Sequence, residues 1–256
     1  MQIATAFRDA RLAGTIVAEY PGERPQDLDA AYLIQDCGLE IAGSPVVGWK
    51  VGRINPPHTA ILGSDRLAGP VLEGTVRTVE AGGVPVAMPI CPGGFAAAEA
   101  EFVVRLSADA VAAAPEDDEA TLAIIDDIVL GIEIASSPYP GINADGPCVT
   151  VSDRGNNGGL VLGASVPRDL WASLNDVEVA LTIDGSEVGR ATTATMLDGP
   201  LGAVRFLLAN LRSRGIETPA GLLISTGAIT GVHEIASGQV AEGTFAGIGS
   251  VRTLVR

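Results

Sequence analysis

At 256 residues the chain can bury a large core, and it is 47% hydrophobic but only 4% aromatic, so Ala, Val, Ile and Leu must do most of the packing. A formal charge of −15 argues against binding nucleic acid or an anionic membrane, since both need a basic face. Three scattered cysteines (Cys37, Cys91, Cys148), no signal-like leader and no apolar run near about 18 residues point to a soluble cytoplasmic protein without disulfides or a zinc pattern.

Residues 1–19 predict a helix, with Ile3, Phe7, Leu12 and Ile16 on a rough 3.6 spacing. Pro21 and Pro25 punctuate the chain, and a second helix runs from about Gln26 to Ala42, with Leu28, Ala31, Ile34 and Ile41 inward and Gly43 as the stop. Val46–Gly52 reads as a short strand carrying Lys50 between apolar neighbours, and residues 55–74 show no clear period. Strands then dominate: Val84–Met88, Glu99–Leu106, Ile128–Ala135, Gly159–Leu162 and Val177–Ile183, the last followed by an Asp184-Gly185 hairpin turn. The acidic run Pro115–Glu119 fits a helix N-terminus, where carboxylates suit the positive end of the dipole. Asp198-Gly199-Pro200 opens a helix striped with Leu201, Val204, Leu208 and Leu211 and closed by Gly215. Leu222–Thr226 and Thr244–Val255 finish the chain as strands. The expected layout is a small helical N-terminal part over residues 1–74 and a β-rich catalytic part over 75–256.

Three features carry chemistry. Glu99 and Glu101 lie two residues apart in a strand, so they share a face, and two adjacent anions there need open water, basic partners, a shared proton or a bound cation. Glu133 stands in the apolar strand Gly131-Ile132-Glu133-Ile134-Ala135, where a lone buried carboxylate is costly. Three glutamates without His or Cys companions suit a hard divalent ion, Mg²⁺ or Mn²⁺; by spacing alone they fit three solvated faces equally well. Lys50 could hold a substrate carboxylate or be a strand lysine whose head reaches water. No nucleotide-binding glycine motif and no G-x-S-x-G is present, and the Gly-rich run Gly155–Gly159 could shape a pocket wall or simply turn the chain.

Taken in order, several segments resemble the fumarylacetoacetate hydrolase superfamily, in its 2-keto-4-pentenoate hydratase and 4-oxalocrotonate decarboxylase branch. Gly48-Trp49-Lys50-Val51-Gly52 is similar to its G-[RYW]-K-[VI]-G element, Glu99-Ala100-Glu101 to its E-A-E segment, and Glu133-Ile134-Ala135-Ser136-Ser137 to its third-glutamate strand. Thr150-Val151-Ser152-Asp153, Gly199-Pro200-Leu201, Ser225-Thr226-Gly227-Ala228 and Gly247-Ile248-Gly249-Ser250-Val251 resemble further motifs of the branch. The resemblance implies an α+β fold built on a mixed β-roll, with Glu99, Glu101 and Glu133 as ligands of Mg²⁺ or Mn²⁺ and Lys50 and Asp153 as catalytic residues. It implies a hydro-lyase that adds water to a short 2-hydroxy-dienoic or 2-oxo-enoic acid through a metal-stabilised enolate. Decarboxylation of a 2-oxo acid, C–C hydrolysis of an acylpyruvate, or service as an inactive partner subunit are the alternatives. A homo-oligomer, with a pathway enzyme as a further partner, is also implied.

The chain departs from the branch at defined places. Leu67 stands where the branch has an Asp that assists proton transfer, Ser136-Ser137 replaces Ser-Arg, and Asp153-Arg154 replaces Asp-Asn. The resemblance thus implies that the metal ligands are kept while the acid–base surroundings differ.

Overall fold

A computed structural model describes residues 1–80, 82–111 and 113–256. The chain opens with helix α1 (Gln2–Ala13), which buries Ala4, Phe7 and Ala10. It stops earlier than its spacing predicts because Gly14 takes a left-handed cap at φ 64, and Leu12 and Ile16, expected inward, are 80% and 51% exposed. Helix α2 (Leu28–Ala42) starts where the Asp27 carboxylate accepts the Ala30 N–H. Its buried face is Ala31, Tyr32 and Gln35. Strand β1 (Val46–Arg53) and the short helix α3 (His58–Leu62) lead to β2 (Arg66–Leu72). The segment 55–74 showed no period because all seven residues of β2 are buried, so neither face is marked by polar side chains.

Strands β3 (Val76–Thr78), β4 (Val86–Met88) and β5 (Phe95–Leu106) follow. Helix α4 (Asp118–Ala123) is capped by Asp117, whose side chain accepts the Ala120 N–H, as the acidic run predicts. Next come β6 (Ile125–Ser137), helix α5 (Pro147–Ser152), β7 (Asn157–Ser165) and the hairpin β8 (Glu178–Ile183) and β9 (Ser186–Thr192). That hairpin turns on Asp184 and Gly185, at φ 50 and 79. Helix α6 (Gly199–Ser213) precedes β10 (Leu223–Ser225), β11 (His233–Glu234), β12 (Val240–Phe245) and β13 (Gly249–Val255). The expected single strand Thr244–Val255 is instead the end of one hairpin arm and the whole of the other, reversed at Gly247, whose φ is 74.

Two sheets result. The larger runs β2-β1-β10-β5-β6-β7-β3 with β11 also on β5, and the smaller runs β4-β13-β12-β8-β9. Because β1 and β2 pair into the larger sheet, the division at 74/75 falls inside that sheet. The helices are tied to it as well: Gln35 donates to Ala68 O and Val151 O, each at 3.0 Å, and the Ala68 N–H donates to Tyr32 Oη at 2.9 Å. Among the described residues no helix is long and apolar enough to cross a membrane.

The larger sheet curls, since Val71 of β2 shares one buried cluster with Leu160 and Leu162 of β7 and Val103 of β5. Strand period then sorts β5 between two environments. Ala98, Ala100, Phe102 and Val104 face the smaller sheet, where Phe102 meets Phe245 with ring centroids 5.1 Å apart, and Glu99, Glu101 and Val103 face the inside of the curl. Replacing Phe102 with Ala should lower stability by about 3–5 kcal/mol, because a buried ring contact between the sheets is lost and a cavity remains. Chemical denaturation would read this, and a loss below about 1 kcal/mol would mean the sheets are held otherwise.

Candidate metal centre

The inside of the curl is where acids and small residues meet. Register sets Glu99 of β5 opposite Glu133 of β6 and Glu101 opposite Gly131, so all three carboxylates project to the same side. Gly131 keeps that side open: a Cβ there would lie 2.6 Å from Val103 Cγ2. Glu99, Glu101 and Glu133 are 5%, 0% and 0% exposed, and each offers an oxygen within 4.8 Å of the others. Lys50 comes from β1, two strands from β5, and its Nζ lies 3.5 Å from Glu133 Oε2.

Two of the three carboxylates are braced on one side. Glu101 Oε2 accepts the Ser225 hydroxyl and the Gly227 N–H, the latter at 2.9 Å, and Glu133 Oε1 accepts Asn157 Nδ2 at 2.8 Å. Of their other oxygens, Glu101 Oε1 is buried with no hydrogen-bond donor among the described residues, and Glu133 Oε2 has only the Lys50 ammonium at 3.5 Å. A braced outer oxygen beside an inner one that is free or only ion-paired is the arrangement expected of a carboxylate aimed at a cation. Charge agrees: three buried carboxylates against one ammonium leave two negative charges, the amount a divalent ion supplies. An all-oxygen donor set fits a hard ion of the Mg²⁺ or Mn²⁺ type.

Without that ion, protons compensate. Burial and then Glu133 push the Glu99 carboxyl up to about 7 against the pull of Lys50. Burial, Glu133 and Glu99 likewise hold Glu101 well above the ordinary carboxylate range. For Lys50 burial works against the charge, but Glu133, Glu99 and Glu101 outweigh it and raise the ammonium above its usual value.

A cleft of about 680 Å³ opens over this centre. Lys50 and Glu99 form part of its floor. Leu67, where the resemblance has an acid, is 4% exposed and forms an apolar wall near Lys50: a Cβ on Gly52 would touch both Leu67 Cδ1 and Lys50 Nζ, at 3.0 and 3.4 Å. Arg53, His58 and Arg66 also line the cleft, and Arg66 is bound to Asp198 at the start of α6.

Asp153, expected to be catalytic, is not brought to the cleft. It is 2% exposed, and its Oδ2 accepts Arg11 Nη2 and the Ser137 hydroxyl, both at 2.6 Å, while Arg11 also donates to Ser136 O. It thus fastens α1, the end of β6 and the turn before β7. Asn157, which supports Glu133, opens β7 just after that turn. The braces Asn157, Ser225 and Gly227 were not singled out from sequence as site residues. Their only signal was position, Asn157 in the Gly-rich run and the other two in a motif of the resemblance.

The fumarylacetoacetate hydrolase C-terminal family model matches residues 63–256. The chain is 31% identical to a protein named 2-keto-4-pentenoate hydratase from Paraburkholderia xenovorans (strain LB400), over 98% of this chain and 93% of that one. It is 26% identical to a 4-oxalocrotonate decarboxylase of Pseudomonas putida, over 83% and 78%. Its fold is similar to the solved 4-oxalocrotonate decarboxylase from Pseudomonas putida G7 complexed with magnesium and adipate, with TM-score 0.80, 23% identity, and 99% and 96% of the two chains covered.

The carboxyl shifts fix a pH dependence. Glu99 has a folded value of about 7 against an ordinary 4.5, so between these pH values the folded, metal-free protein binds more protons than the unfolded chain. Stability is therefore full at low pH in this window and falls as pH rises through about 7. In chelator the melting temperature should drop between about pH 5 and pH 8, and Glu99→Gln should flatten the drop. A melting temperature that rises over this window, equally in both proteins, would contradict the buried-carboxylate account.

Proposed function

The chain belongs to the fumarylacetoacetate hydrolase family, and from that premise we propose that it is a divalent-metal-dependent hydro-lyase of the 2-keto-4-pentenoate hydratase type. Its substrate is a short 2-hydroxy-dienoic acid, which is ketonised to a 2-oxo-enoic acid and then hydrated. The observation that carries this reading is the convergence of three buried carboxylates on one space with a single ammonium beside them.

Glu99, Glu101 and Glu133 would hold the ion. Bound there, Mg²⁺ or Mn²⁺ would supply a Lewis acid for the 1-carboxylate and 2-oxygen of the substrate. Lys50, charged and fixed at 3.5 Å from Glu133, presents N–H donors to the same end of the substrate and balances the negative charge that grows on it during ketonisation. The proton leaving the 2-hydroxyl is replaced by one at the far carbon of the diene, and water then adds across the remaining conjugated double bond. Leu67 and the surrounding walls keep bulk water from Lys50, which strengthens its attraction for an anion. Asp153 takes a positioning part, through Ser137 and the turn that carries Asn157. The homo-oligomer and the pathway partner implied by the resemblance belong to this reading too.

A second reading, decarboxylation of a six-carbon 2-oxo diacid, is favoured by one observation. Among the described cleft-lining residues Lys50, Arg53 and Arg66 are cationic and Glu99 is the single acid, in a chain with 31 Asp and Glu. Arg66 is already paired with Asp198, but Arg53 is exposed and has no carboxylate partner among the described residues. It could receive a second carboxylate at the far end of the substrate.

Two measurements test these readings. Glu101→Gln should weaken Mg²⁺ or Mn²⁺ binding by more than the roughly 10–100-fold lost with a supporting partner, and should abolish turnover of 2-hydroxy-dienoates followed by ultraviolet absorbance. Unchanged metal affinity by calorimetry would sink the metal centre. Arg53→Gln should raise KM for a diacid about 10-fold or more and leave a monoacid unaffected if the second reading holds. Equal effects on both acids would remove it.

A further inference from the structure

The turn between α5 and β7 has a use that the metal centre does not absorb. Arg154, Gly155 and Asn156 are consecutive and all left-handed, at φ 58, 62 and 64. Two of the three are not glycine, so neighbouring structure must impose the conformation. It does: a Cβ on Gly69 would lie 2.2 Å from Arg154 O, and one on Gly155 would lie 2.9 Å from Gly69 Cα and 3.4 Å from Lys50 Cδ. The turn is pressed onto β2 and against the Lys50 side chain, and it aims two successive amides differently. Asn157 goes down to brace Glu133, and Asn156 faces the cleft.

Asn156 is 3% exposed and its Oδ1 is buried with no donor among the described residues. Its Nδ2 donates to Asn143 Oδ1 at 3.4 Å on the same cleft wall, which leaves Oδ1 as the free group. A buried carbonyl oxygen held without a donor, on a forced backbone, beside the residues that would grip the substrate, is a binding element awaiting its partner. Its chemistry selects the partner. An acceptor oxygen repels a carboxylate or keto oxygen and attracts an O–H.

We propose that Asn156 Oδ1 accepts a hydrogen bond from an O–H group held in the cleft, either the 2-hydroxyl of the enol substrate or the water that is consumed. The amide takes no proton; it orients the O–H bond, and with a water it turns a lone pair toward the carbon to be attacked. The reaction in which this matters rests on the hydro-lyase reading, whereas the preference for an O–H ligand rests on the cleft geometry alone.

The test uses the full-length, Mg²⁺-loaded protein and the variants Asn156→Gly and Asn156→Asp. Glycine removes the acceptor while accepting the left-handed backbone, and aspartate keeps both. Calorimetry compares lactate, which carries a 2-hydroxyl, with pyruvate, which does not, and ultraviolet assays follow hydration of 2-hydroxypenta-2,4-dienoate. If the donor is the substrate hydroxyl, Asn156→Gly weakens lactate about 10-fold and leaves pyruvate unchanged. If the donor is the water, both affinities and KM hold while kcat falls about 10–100-fold. In either case Asn156→Asp keeps an acceptor but adds a negative charge, so its losses fall equally on lactate and pyruvate. A glycine variant equal to the parent in both assays overturns the proposal, as does one that loses Mg²⁺ affinity or melting temperature, which would make the residue purely structural. If the parent turns over no dienoate, the hydro-lyase reading fails on its own. The lactate and pyruvate comparison then decides, and equal effects of Asn156→Gly on the two overturn the assignment.

Discussion

Three buried carboxylates set against one ammonium inside a curled sheet are the constraint around which the structure is arranged. Desolvating three carboxylates is expensive, and one lysine meets only part of the debt. The surrounding chain is organised to hold them at a fixed separation. The Ser225 hydroxyl and the Gly227 amide fasten one oxygen of Glu101, Asn157 fastens one of Glu133, and Gly131 leaves the space between strands open. The apolar cluster of Val71, Val103, Val129, Leu160, Leu162 and Leu223 closes the curl. A site held this way is destabilising to the empty fold and becomes favourable when a cation arrives, which is how binding energy becomes folding energy in a metal centre.

What distinguishes the cleft is the contrast between its floor and its walls. The floor is fixed by strand register, and strands change little when side chains change. The walls come from the turn at 154–156, the segment 195–197 and the residues after β10, all of them connections. The rigid part thus supplies the chemistry common to acids with a 2-oxygen, while the connections decide what the rest of the molecule is. Leu67 is an apolar wall near Lys50 where the resemblance implies an acid. Asn156, from a turn, and Arg53, from the end of β1, line the same cleft.

Much of the centre was legible because the period of a strand is two. Glu99 and Glu101 had to share a face, and an apolar strand around Glu133 marked it as buried. Pairing of Glu99 with Glu133 was not legible, since register between two strands is a tertiary fact. Strand β2 escaped notice because burial on both faces removes the polar half of the pattern. Leu12 and Ile16 misled in the other direction: helical spacing suggested an inward stripe, but Gly14 ended the helix and Phe7 took the buried side. Asp153 carried a motif, but its pairing with Arg11, 142 residues away, is a tertiary contact that the sequence does not show.

Such distances along the chain also set a timetable. Lys50 on β1 reaches its place only when β10 lies alongside it, with Lys50 paired to Ser225 near the end of the chain. The Arg11–Asp153 bond joins the first helix to the turn before β7. During synthesis the three glutamates are therefore made, and two of their strands can pair, long before the braces from β10 exist. Glu101 thus gains its braces only once β10 has joined β1 and β5, so the ligand set is complete only after these long-range pairings form.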